Sequence, residues 1–123
     1  MPFPFTNGDV LNASDMNALN RLPPNDVTTS TTLALTDEAT WIAESGAGNR
    51  TLTIPPNSSV AFPLGAQILV SRSTADTVTI AQGAGVSLYS TLGSGNRTIA
   101  NVNGFVTLLK YQTNAWYIIG DVA

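Results

Sequence analysis

The side chains able to do acid–base chemistry are few. Eight carboxylates are present: Asp9, Asp15, Asp26, Asp37, Glu38, Glu44, Asp76 and Asp121. A glycosidase needs two of them facing each other across a cleft. Asp37, Glu38 and Glu44 form the one cluster in the strand-like part of the chain. Asp37 and Glu38 are adjacent, so a strand would send them to opposite faces. A solvated, charged loop is the simpler account of them. His is absent, which removes the commonest general base, the commonest metal ligand and any Ser-His-Asp triad. Cys is absent too, so disulfide and thiolate chemistry are excluded. The Gly-rich "GAGVSLYSTLGSG" lies among strand-like runs and does not open a helix, so it lacks the context of a phosphate loop. Oxygen ligands for calcium exist, but the D-x-D-x-D-G spacing does not. The expectation is no enzyme, no cofactor and no metal.

The aromatic residues offer binding instead of turnover. Trp41, Tyr89 and Trp116 are the candidate glycan contacts, with Tyr111 and Tyr117 as further rings for such a groove. Core packing or interface anchoring is the commoner use of such rings. Nucleic acid is not an expected partner, because net charge is -3 and the five basic residues are scattered from Arg21 to Lys110. No stretch is long and apolar enough to span a membrane. The opening "MPFPFTNGD" lacks the basic start and apolar run of a signal peptide, which points to a protein made in a cytoplasm and used without Sec-type export. Asn-x-Ser/Thr triplets at Asn12, Asn49, Asn57 and Asn96 then read as accidents of composition.

Charged residues make up 11% of the chain, against about 25% in an ordinary soluble domain. A lone monomer uses charge to stay soluble. A chain that spares it, with Thr, Ser and Asn in its place, reads as one packed against copies of itself or fixed in an assembly.

The elements that must position these residues fall into two parts. "PFPF" at 2–5 reads as an extended arm and "TNGD" at 6–9 as a turn. "NASDMNALNRL" at 12–22 has helix punctuation: Asn12 as cap and Asp15 three residues on, with Pro23 and Pro24 as the stop. Met16, Leu19 and Leu22 make one narrow apolar stripe. A helix of about ten residues is marginal alone in water, so the stripe, with Phe3, Phe5, Val10 and Leu11, needs a partner surface. Residues 25–32 read as a polar connector.

From residue 31 onward strand-like runs recur: 31–35, 40–44, 51–54, 59–62, 67–71, 77–81, 86–90, 97–100, 105–111 and 115–120. Gly-, Pro- and Asn-rich breakers separate them, which indicates a sandwich or barrel. "TLTI" and "TVTI" alternate Thr with Leu, Val or Ile. "FVTLLKY" and "AWYIIG", joined by "QTN", read as a hairpin in the middle of a sheet. Its bulky residues Phe105, Leu108, Tyr111, Trp116 and Ile118 are the candidate oligomer contacts. "GNRT" occurs at 48–51 and 95–98, a repeat short enough to be chance. The division is an arm and helix at 1–24, a connector at 25–32 and a β head at 33–123. The expected fold is mainly β: an antiparallel, jelly-roll-like sandwich with one short N-terminal helix.

Two stretches carry a resemblance. "FTNGDVLNASDMNALN" resembles the opening of many small tailed-bacteriophage virion proteins, with Asn12 in place of their commoner Thr cap and Met16 in place of Leu. The run from "TLTIPPNSSVAFPLG" to "VSLYS", with "FVTLLKYQTNAWYIIGDV", is similar to the β domain of phage tail fibres, head fibres and capsid-surface proteins. The resemblance implies a homotrimeric virion component whose N-terminal segment docks on the major capsid protein or another virion protein through Phe3, Phe5, Val10, Leu11, Met16, Leu19 and Leu22. It implies a place on the virion surface. Capsid decoration or cementing is the leading role. A short tail fibre or adhesin binding host glycan is the alternative.

Overall fold

The computed structural model describes residues 22–123. The expected helix at 12–22, its caps Asn12 and Asp15, and the arm residues Phe3 to Leu19 lie outside the described residues. Leu22 is described; it is exposed and belongs to no regular element.

Among the described residues, eleven strands form two packed sheets. In chain order they are β1 (Pro24–Val27), β2 (Thr31–Thr32), β3 (Trp41–Glu44), β4 (Arg50–Ile54), β5 (Gln67–Arg72) and β6 (Val78–Gln82). Then come β7 (Ser87–Ser90), β8 (Gly93–Ser94), β9 (Arg97–Thr98), β10 (Phe105–Gln112) and β11 (Ala115–Gly120). The larger sheet runs β1-β3-β5-β10-β11-β7-β8 and the smaller β2-β4-β6-β9. Between them lies one apolar core, with Ile54, Ile68, Ile80, Leu88, Leu108 and Trp116 among its most buried members. The fold is mainly β, as expected, but its sheets are mixed and not antiparallel.

The reason is the path of the chain. From β1 to β6 successive strands step alternately between the two sheets, so neighbours within each sheet are two strands apart and run parallel. Trp41 pairs with Leu69 and Arg50 with Val78, both 28 residues apart, so segment 41–54 lies in register on 69–82. The turns stack as well. Gly48 N donates to Asp76 Oδ2 at 2.7 Å and Thr77 N to Asn49 Oδ1 at 3.0 Å. The "GNRT" echo is not this repeat: its copies lead into β4, parallel to β6, and β9, antiparallel to β6. The expected connector at 25–32 is built into the sheets, since β1 pairs with β3 and β2 with β4.

Two expected strands are replaced. The 31–35 run keeps two residues of strand and then tightens into a 3-10 turn at Leu35–Asp37, where Ala34 N donates to Asp37 Oδ2 at 2.8 Å. The 59–62 run is a loop between Pro56 and Pro63. It still delivers Phe62 to the core, edge-on to Trp116 at 5.4 Å. The β10–β11 hairpin forms as read, in the middle of the larger sheet.

The stacking demands close backbone approach. A Cβ on Gly46 would stand 2.2 Å from Thr28 O in the layer beside it. Gly46→Ala is therefore expected to cost about 1–3 kcal/mol, the range for overpacking, and to lower the melting temperature followed by far-UV circular dichroism. A melting temperature within about 2 °C of the parent would show that the two layers do not touch there.

Candidate functional site

Strand alternation sorts the side chains of the larger sheet. On β10, Val106, Leu108 and Lys110 point inward, while Phe105, Thr107, Leu109 and Tyr111 point out. On β11, Trp116 and Ile118 point inward and Tyr117 and Ile119 out. Three predicted oligomer contacts, Leu108, Trp116 and Ile118, are therefore core residues, each 3% exposed or less. This corrects their assignment and removes Trp116, 1% exposed, as a glycan contact. Phe105 and Tyr111 keep their place on the outer face.

That outer face is the main feature of the molecular surface. In register across it run Trp41, Leu69, Thr107 and Ile119, and beside them Gln67, Leu109, Tyr117 and Tyr89. Its rings sit in two groups. Trp41 and Phe105 have centroids 5.8 Å apart, and Tyr117 lies 5.8 Å from Tyr89 and 5.3 Å from Tyr111. The Trp41 indole N–H donates to Ser71 Oγ at 2.8 Å, which fixes the half-buried ring on the sheet. Ile119 is 55% exposed. Among the described residues, the one Asp, Glu, Lys or Arg at an outward strand position is Asp26 on edge strand β1. The opposite surface differs. The outer face of the smaller sheet lines up Thr51, Thr79 and Thr98 in one row and Thr32, Thr53 and Ala81 in another.

Two grooves border the aromatic face. One, of about 510 Å³, is lined by Leu22, Leu69, Thr107 and the turn from Glu38 to Thr40. The other, of about 530 Å³, lies beside Tyr89 between Ser87, Gln112 and Asn114.

The acids do not converge. Asp37 is occupied by the backbone of Ala34, and Glu44 is buried at the end of β3. Arg50 Nε donates to Glu44 Oε2 at 3.0 Å, with both side chains inaccessible. Arg50 also donates to the carbonyls of Gly46 and Gly48. Burial pushes the Glu44 carboxyl above its usual pKa, and the Arg50 hydrogen bond and charge only partly oppose this. Glu44 Oε1 has no partner. This pair closes a turn and does not face a cleft.

The other basic side chains work in the same way. Arg72 donates to the carbonyls of Thr74, Ala75, Ile99 and Ala100, and Arg97 to that of Leu92. Lys110 Nζ, buried behind β10, reaches Phe62 O at 2.6 Å and Asn57 Oδ1 at 2.7 Å. Desolvation pushes its pKa down. Every basic residue among those described is thus engaged with backbone carbonyls. Among the described residues no group of three His, Cys, Asp or Glu is placed to hold a metal ion, and no helix is long and apolar enough to cross a membrane.

Sequence reasoning missed Leu69, Leu109 and Ile119 as surface residues, while Tyr111 and Tyr117, named as further rings for a groove, do lie on the outer face. The alternation in "FVTLLKY" was the available signal, but Lys110 obscures it: a charged residue read as solvent-facing inverts the parity of the whole strand. Comparisons with family models, with curated proteins and with solved structures find no match.

Proposed function

We propose that this protein is a non-enzymatic structural component of a bacteriophage virion, decorating or cementing the capsid surface as a trimer docked by its N-terminal segment. The virion setting and the threefold symmetry rest on the resemblance of "FTNGDVLNASDMNALN" and of the β segments. The observation that carries the assembly role is the outer face of the larger sheet, where Trp41, Leu69, Phe105, Tyr117 and Ile119 stand at outward strand positions, none of which among the described residues is Lys, Arg or Glu. A surface of that kind is made for contact with protein. In this proposal the two-layered sandwich is the jelly-roll-like exposed head. The described chain enters it without a shaft, since Leu22 is followed within two residues by β1.

One observation favours a second reading. The Tyr89, Tyr111 and Tyr117 cluster borders a groove with Ser87, Gln112 and Asn114. Rings for the apolar face of a sugar, beside amides and a hydroxyl for its oxygens, suit a neutral host glycan. That is the short tail fibre or adhesin, with Tyr89 retained from the predicted glycan set and Tyr111 and Tyr117 in place of Trp116. Trp41 lies with Phe105, in the other group of rings.

Antibody-gold labelling of intact particles separates these readings. Label over the shell is the expected result. Label confined to the tail tip supports the adhesin, and unlabelled particles that lack the protein altogether would overturn the virion role.

A further inference from the structure

We propose that in the free protein residues 12–21 lie back along the outer face of the larger sheet of their own chain, setting Leu19 and Met16 over Thr107 and Ile119. The inference rests on the helix expected at 12–22. It goes beyond the docking role, because it concerns the protein before it meets a particle.

Three observations carry it. The first is the direction of the chain. Leu22 stands two residues before edge strand β1, yet it lines the first groove with Leu69 of β5 and Thr107 of β10. The chain therefore reaches its edge strand from over the middle of the sheet and not from beyond its edge. The residue that joins the described head to the apolar stripe is already seated on this face.

The second is spacing. Leu69, Thr107 and Ile119 stand in one row across β5, β10 and β11. Neighbouring strands are about 4.8 Å apart. Along a helix, residues three apart advance by about 4.5 Å. With Leu22 beside Leu69, the stripe of Leu22, Leu19 and Met16 steps across the same three strands.

The third is size and charge. Five strands of about five residues give a face on the order of 400 Å² in plan. Two separate chains need more than that for a stable contact. A tethered segment does not, because its attachment holds it at high effective concentration and association costs it no translational freedom. The stripe carries no charge, and the row beneath it carries none. The acid on the rim of the groove is Glu38, and Arg21 enters there, one residue before Leu22. Such a contact holds the docking stripe in store. It lowers the apparent affinity for any partner by the fraction of chains that expose the stripe.

The test uses the full chain, whose lack of Cys makes introduced thiols unambiguous. Met16→Cys is combined with Ile119→Cys, or with Thr53→Cys on the other sheet as control. Under oxidised glutathione in dilute solution, the first pair should close a disulfide within one chain at least about tenfold faster than the second, as its effective concentration is higher. Non-reducing electrophoresis and alkylation of the remaining thiols read this. Equal rates, or disulfides formed only between chains, overturn the proposal. The second measurement is trypsin cleavage after Arg21. Thr107→Glu puts a charge under the stripe and should speed that cut at least about tenfold over wild type, by raising the exposed fraction, while Thr53→Glu leaves it unchanged. An unchanged rate in Thr107→Glu also overturns the proposal. Should Thr107→Glu lose its β circular dichroism, the thiol pairs decide. None of these failures touches the docking role, which is read on particles.

Discussion

Arg50→Met is expected to destabilise the protein by about 3–5 kcal/mol at neutral pH, the cost of leaving a buried charge without its partner. A domain of this size has about 5–15 kcal/mol in all, so the variant should sit near the edge of folding. The side chain that suffers is Glu44, which is inaccessible and has one carboxylate oxygen already unpartnered. Its pKa is raised by burial even with Arg50 present, and the hydrogen bond and charge of Arg50 hold it down. Without Arg50 it rises further. A carboxyl whose folded pKa lies above its unfolded value of 4.5 contributes stability that is present below 4.5 and lost as pH climbs through the folded value. Acidification to that region should therefore return part of what Arg50→Met removes, while the parent gains less over the same range. Recovery stays partial, because the Gly46 and Gly48 carbonyls lose donors that protons cannot replace. Adding Glu44→Leu should recover more at neutral pH, since an apolar pair of similar volume often replaces a buried ion pair at little cost. Urea titrations of the three proteins at neutral and acid pH check this. Equal losses for Arg50→Met at both pH values would mean that Glu44 is not the cause.

Most strands were legible because the sequence punctuates them. "TLTI", "QILVS", "TVTIA", "FVTLLKY" and "AWYIIG" each sit between breakers and form strands within one or two residues of the expected ends. Their order in the sheets was not legible. Alternation tells which face is buried, but the crossing from one sheet to the other is decided by turns such as 44–50, whose closure depends on Arg50 folding inward onto Glu44. An Arg after "GN" reads as an exposed turn residue, and nothing local announces that it is buried. The same blindness affected the site. Trp116 and Tyr117 are equally plausible surface rings in a linear string. One registers as core and the other as surface only once Lys110, opposite Trp116 in the ladder, is known to point inward to Phe62 O. In "FVTLLKY" apolar residues fall on both parities, Phe105 and Leu109 on one and Val106 and Leu108 on the other, so the string by itself does not choose the buried face.

Particles made without this protein are expected to open at lower temperature and under milder osmotic shock than complete ones, while adsorbing to cells normally. A cement binds the intact lattice and not its dispersed subunits, so its binding free energy adds to the stability of the shell. At a free concentration about a hundred times the dissociation constant each occupied site contributes about 2.7 kcal/mol. The effect is multiplied over every occupied site, so even modest affinity should give a large shift. An oligomer strengthens this further, because several docking segments on one head act at high effective concentration. The docking residues Phe3, Phe5, Val10, Leu11, Met16, Leu19 and Leu22 carry no charge to screen, so the stabilisation should persist at high salt. An adhesin gives the opposite pair of outcomes: a shell of unchanged stability and particles that fail to adsorb. In that case Tyr89→Ala and Tyr117→Ala, which remove exposed rings beside the Gln112 and Asn114 groove without opening the core, should abolish adsorption. Thermal release of genome from particles with and without the protein, read alongside adsorption to host cells, decides between the two, and normal shell stability with lost adsorption would overturn the cement role.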